Sequence, residues 1–78
     1  MDKKAGTNDM LATVRSNIAC LMKVRGKTGE DMEQTLCMSR NTWNKRMSNP
    51  GSISLLELVA IAKALVTTPQ RLLTETEW

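Results

Sequence analysis

From Ser39 to Asn49 the chain reads SRNTWNKRMSN, a run rich in hydrogen-bonding side chains and free of acids. The chemistry open to these residues is recognition rather than bond making. Arg40 carries a fork of N–H donors that matches O6 and N7 of guanine. Asn41 and Asn44 each join a donor to an acceptor, as the N6 and N7 edge of adenine requires, and Lys45 can reach a guanine edge or a phosphate. The usual groups of general acid–base and nucleophilic catalysis are missing: the sequence has no His and no Tyr, and neither Cys is paired with a base. No enzymatic activity is expected. Glu30, Asp31 and Glu33 read as acids gathered at the positive end of a helix.

Cys20 and Cys37 are the only cysteines, too few without His to supply four zinc ligands. No metal and no cofactor is expected. Lys3 and Lys4 precede a segment interrupted by Thr13, Arg15, Ser16 and Asn17, so no secretory leader is recognisable. Both thiols are expected to be reduced, small packing residues of a cytoplasmic protein. The longest apolar run, Leu58 to Ala62, is far short of a membrane span.

The elements that must position residues 39–49 belong to a chain of 78 residues, enough for one domain. A chain of that size buries only about 60% of the surface exposed on unfolding. With Trp43 and Trp78 the only aromatics, the core must come from aliphatic residues and the six Met, which suits a helical bundle. The net charge of +3 is mild, but it is clustered. Residues 1–27 hold Lys3, Lys4, Arg15, Lys23, Arg25 and Lys27 against Asp2 and Asp9. This is either a phosphate-facing edge or a solvated charged face.

Residues 1–8 read as a flexible arm in which Thr7 or Asn8 can cap a first helix near Asp9. Leu11, Val14, Ile18, Leu21 and Met22 recur at helical steps until Gly26. Thr28 caps a short second helix with Met32 and Leu36 inward. Ser39 caps a third, in which Trp43 and Met47 share a face. The cluster from Ser48 to Ser52 forces a turn. Ser54 and Glu57 form a capping box ahead of the stripe Leu55, Leu58, Val59, Ala62 and Leu65, and Thr68 then Pro69 opens a fifth helix. The domain is placed at 9–74, with residues 75–78 a tail that begins to fray at Thr74. No strand-like alternation is present. The fold class is all-α, a compact bundle of about five helices.

The segment TGEDMEQTLCMSRNTWNKRM resembles the helix-turn-helix of the Cro and phage-repressor family. The following NPGSISLLELVAIAKALVTTPQRLL resembles that family's fourth and fifth helices, so the likeness covers roughly residues 10–73. It implies a lambda-repressor-like DNA-binding domain whose third helix, pinned by Trp43 and Met47, enters the major groove. By the family's arrangement Ser39, Arg40, Asn41, Asn44 and Lys45 stand where base contacts lie. Lys27, Thr28, the amide of Gly29, Thr42, Arg46, Ser48 and Asn49 flank them toward the phosphates. For Arg46 a surface charge or a pair with Glu33 is an equal alternative. Trp43 is assigned to the core over stacking on a base.

The chain departs from the family at Gly29, where Gln is common, at Glu33, where Ala is common, and at Cys37, where Gly is common. A Cys in a left-handed turn costs about 1 kcal/mol relative to Gly. The resemblance implies a sequence-specific transcriptional regulator, a phage or prophage repressor or Cro-like protein, whose partner is a double-stranded DNA operator. Specificity calls for two copies about 34 Å apart on a pseudo-palindrome, hence a homodimer. Its contacts are expected from Pro69, Leu72, Leu73 and Trp78. The alternative is a protein-interaction module, antirepressor- or antitoxin-like, that keeps the helix-turn-helix shape without binding DNA.

Overall fold

The computed structural model describes the backbone of residues 5–74 and the side chains of residues 10–74. Every regular element among them is helical: α1 (Ala5–Arg25), α2 (Gly29–Leu36), α3 (Arg40–Ser48), a single 3-10 turn (Pro50–Ser52), α4 (Leu55–Ala64) and α5 (Pro69–Leu73). α1 begins at Ala5, ahead of the start expected near Asp9, so Thr7 and Asn8 lie inside the helix rather than at its cap. Residues 1–4 and 75–78, with the expected tail and Trp78, lie outside the described residues.

The helix starts follow the local chemistry of their caps. Thr28 accepts the Asp31 N–H, and the Asp31 carboxylate accepts the Thr28 N–H at 2.8 Å, closing a capping box on α2. Ser54 and Glu57 do the same for α4. Ser39 caps α3 through the Thr42 N–H, and Thr68 caps α5 through the Arg71 N–H ahead of Pro69. Each such cap contributes about 1 kcal/mol, which short helices of this length need.

Three helices end by one device, in which a left-handed residue lets its own N–H and the next turn back onto the last carbonyls. Gly26 (φ 70) ends α1, with Lys27 N–H on Met22 O at 2.8 Å. Cys37 (φ 56, ψ 43) ends α2, with Met38 N–H on Glu33 O at 2.9 Å. Val66 (φ 57) ends α4, with Thr67 N–H on Ala62 O at 2.9 Å. Only the first is a glycine.

The core gathers Val14, Ile18 and Leu21 of α1, Met32 of α2, Trp43 of α3, Leu58, Ile61, Ala62 and Leu65 from α4 and its end, and Leu72 of α5. α1 packs along α5, and α2 packs against both α3 and α4. Burial of Leu72 corrects its assignment to a dimer contact, since an interface cannot use a side chain its own chain encloses. Leu55 is corrected likewise: it is 75% exposed beside Leu56 at 81%, and the buried stripe of α4 runs through Leu58, Ile61, Ala62 and Leu65 instead. The methionines are less of a core filler than expected. Met32 alone is buried among the described residues, Met22, Met38 and Met47 are partly covered, and Met10 is exposed. Cys20 and Cys37 are free and exposed, so neither is the packing residue expected.

One buried polar side chain ties the ends of the domain together. The Asn17 side-chain amide donates to the carbonyl oxygens of Arg71 (3.1 Å), Leu72 (2.9 Å) and Thr74 (3.0 Å). Thr74 is therefore anchored, not frayed, and its hydroxyl also donates to Gln70 O. Among the described residues no helix is long and apolar enough to cross a membrane.

Candidate nucleic-acid interface

α3 is held by a single apolar edge. Trp43 is buried and Met47 is half-buried against the core, while Arg40, Asn41, Asn44, Lys45 and Ser48 are exposed. On a 3.6-residue helix Asn41, Lys45 and Ser48 lie on the side away from Trp43, Asn44 stands at its flank, and Arg40, three residues before Trp43, stands at the edge of the face that packs on α2. Without the indole a nine-residue helix this polar would have little to hold it, since burying a Trp side chain typically contributes several kcal/mol.

The connection from α2 to α3 is Cys37 to Ser39, and the left-handed Cys37 provides its sharp change of direction. The start of α2 is brought against α3: a Cβ on Gly29 would stand 3.5 Å from Trp43 Nε1. Gly29 thus stands close to the middle of α3, with Lys27 and Thr28 the residues just ahead of it in the chain. The first N–H groups of a helix have no partner within it, which leaves the α2 start able to meet an anion. Lys27 is exposed. Thr28 is not free for a phosphate, because its N–H and its hydroxyl both donate to Asp31.

At the other end, Asn44, Lys45, Arg46, Ser48, Asn49 and Ser52 line an open depression of about 400 Å³. Ser52 closes its floor by donating its N–H (2.9 Å) and hydroxyl (2.7 Å) to Asn49 O. Arg15 reaches across from α1 and donates to Met47 O at 3.5 Å, placing a positive charge at the negative end of α3.

Several sequence expectations change here. Arg46 pairs with Glu57, not Glu33, through Nε–Oε1 at 3.0 Å and Nη2–Oε2 at 3.3 Å. The first α4 turn thereby holds much of the guanidinium. Glu33 instead faces Arg40, at 3.9 Å from its Nε. Ser39 and Thr42 are occupied with each other, the Ser39 hydroxyl accepting the Thr42 N–H and donating to Thr42 Oγ1. The basic residues of α1 do not form one edge: Arg25 donates to Leu65 O (2.9 Å) and Val66 O (3.3 Å) at the end of α4, far in sequence from Arg15's contact with α3.

Two carboxylates are held below their ordinary values. For Glu57 the Ser54 N–H is the main cause and the Arg46 side chain the second. For Asp31 the causes are the Thr28 N–H and then the Thr28 hydroxyl. Both are therefore fully ionised at neutral pH. Among the described residues no group of three His, Cys, Asp or Glu is placed to hold a metal ion.

The positioning roles of Asn17 and Arg15 were missed by sequence reasoning, as was the hold of Glu57 on Arg46, although Glu57 was expected as the cap of α4. No protein-family model matches the chain, and neither a curated protein nor a solved structure does.

Proposed function

We propose that the chain is a sequence-specific regulator of transcription that binds double-stranded DNA, with α2 and α3 acting as a helix-turn-helix and α3 entering the major groove. The observation that carries this reading is the exposed surface of α3, where Arg40, Asn41, Asn44 and Lys45 stand open on a helix without an acid that is pinned by the buried Trp43. Such a face offers donors and acceptors to base edges, and each two-point pair discriminates by about 1–3 kcal/mol. Lys27, the start of α2 at Gly29, Ser48 and Asn49 flank it and would fix its register on phosphates. Arg46, committed to Glu57, is not counted among these contacts.

One such helix reads only a few base pairs, so the working form is a homodimer on an inverted repeat, of the phage-repressor or Cro-like kind. Pro69 and the exposed Leu73 remain on the surface as its contacts. The protein would act in the cytoplasm by occupying an operator.

Exposed Leu55 and Leu56 favour a second reading, a protein-interaction module of the same shape that does not bind DNA. Selection from a random double-stranded DNA pool at two salt concentrations separates the two. An enriched inverted repeat supports the regulator. Retention without a motif, lost steeply with salt, reduces the function to charge attraction. No retention at low salt sinks DNA binding in favour of a protein partner.

A further inference from the structure

Glu33 and Arg40 come from different helices and differ sharply in exposure. Arg40 Nε lies 3.9 Å from Glu33 Oε2, with the Glu33 side chain 16% exposed and that of Arg40 76% exposed. At this distance the contact is one of charge, not a hydrogen bond. Glu33 is the fixed member, seated in the last turns of α2 with its own carbonyl accepting the Met38 N–H. Arg40, the first residue of α3, is the open one. The other acids of α2 are placed differently: Asp31 is committed to Thr28, and Glu30 is exposed one turn nearer the start.

We infer that Glu33 is a specificity-determining positioning residue of the proposed DNA site, drawing the Nε edge of Arg40 toward α2 so that its two terminal nitrogens point outward as a guanine-reading fork. This rests on the reading of α3 as the groove-entering helix. An unrestrained arginine can clamp any phosphate it meets, and phosphates are the same at every sequence. A carboxylate beside it works against that use, because it repels the anionic backbone. The O6 and N7 edge of guanine is neutral, needs only two parallel donors and is not repelled in the same way. Glu33 therefore weakens binding to DNA in general and sharpens the preference for one base.

The test uses the full chain on duplexes derived from its own selected site, with guanine replaced in turn at each contacted position, and on a random-sequence duplex. Wild type, Glu33→Gln, Arg40→Ala and the double variant are compared. Gln keeps the shape and helix preference of Glu, and Glu33→Ala, with the best helix former, is the second variant should Gln fail to fold. The expected result is that Glu33→Gln binds the random duplex about two- to fivefold more tightly and loses a comparable factor of guanine preference at one position, the range of an exposed ion pair. In the Arg40→Ala background the same change should cost no further preference. Unaltered preference in Glu33→Gln, or an equal loss with Arg40 already removed, overturns the inference while leaving the DNA reading intact. A wild-type chain that enriches no motif defeats the DNA reading itself, and the role of Glu33 with it.

Discussion

Arg46 and Glu57 join α3 to α4 through two contacts, at 3.0 and 3.3 Å, and the same Glu57 Oε1 accepts the Ser54 N–H at 2.9 Å. One carboxylate therefore caps α4 and fixes the end of α3 on it. Glu57→Ala removes both functions. The cap is worth about 1 kcal/mol and a partly exposed ion pair up to about 1 more. The expected outcome is a fall in melting temperature of roughly 4–15 °C for a domain of this size, followed by circular dichroism. Arg46→Ala should cost less, since it leaves the cap in place. Equal losses would mean that the ion pair, not the cap, carries the effect.

Acid should reveal the same carboxylates. Asp31 and Glu57 have lowered values in the folded chain, so their stabilisation is present in full above the ordinary carboxylate range near about pH 4 and is lost as pH falls through the lowered values. The melting temperature should hold from neutral pH to about pH 5 and drop below about pH 4. Glu57→Gln should start lower and show a shallower acid limb. An acid limb as steep as that of wild type would remove Glu57 from the explanation.

Asn17 donates to three carbonyls at the point where α5 ends. Asn17→Leu fills the space but removes the donor shared by these oxygens, that of Leu72 being the buried one. A cost of about 2–3 kcal/mol is expected, the scale of stranding buried polar groups. Hydrogen exchange should show α5 losing protection first, with α2 and α3 less affected. Uniform loss of protection would mean α5 does not open on its own.

Much of the fold was legible because it is written locally. Thr28, Ser39, Ser54 and Thr68 are caps by residue type and position, and Val14, Ile18 and Leu21 are buried by their spacing. What escaped depends on partners distant in the chain. Asn17 looks like an interruption in an apolar stripe until α5 supplies its carbonyls. Leu55 satisfies helical spacing as well as Ile61 does, and only the direction from which α2 and α5 approach α4 decides between them. Of the candidate site, the exposed set on α3 followed from Trp43 and Met47 alone, whereas the exchange of partners between Arg40 and Arg46 required the helices to be placed.

The turn residues make a separate prediction. Cys37 and Val66 both stand in the left-handed region, and both side chains are exposed. β-branched Val is the less tolerant of that backbone. Val66→Gly should stabilise by about 1 kcal/mol and Cys37→Gly by somewhat less, because each removes strain without losing a buried contact. A lower melting temperature for Val66→Gly would show that the valine side chain makes a contact worth more than the strain.

Arg40 and Lys27 should fail in different ways if α3 reads base edges. Arg40 stands at the start of α3 with its side chain exposed, whereas Lys27 stands exposed just ahead of the α2 cap, where the proposed reading assigns it to a phosphate. Arg40→Ala should lower affinity for the selected site by about 1–3 kcal/mol and relax preference at one base position. Lys27→Ala should weaken all sequences alike and reduce the slope of log affinity against log salt by about 1. Fluorescence anisotropy across a salt series, on specific and random duplexes, reads both quantities. Opposite assignments, with Lys27→Ala altering preference and Arg40→Ala only the slope, would place the start of α2 in the groove and α3 on the backbone. Two silent substitutions would remove this whole face from DNA binding.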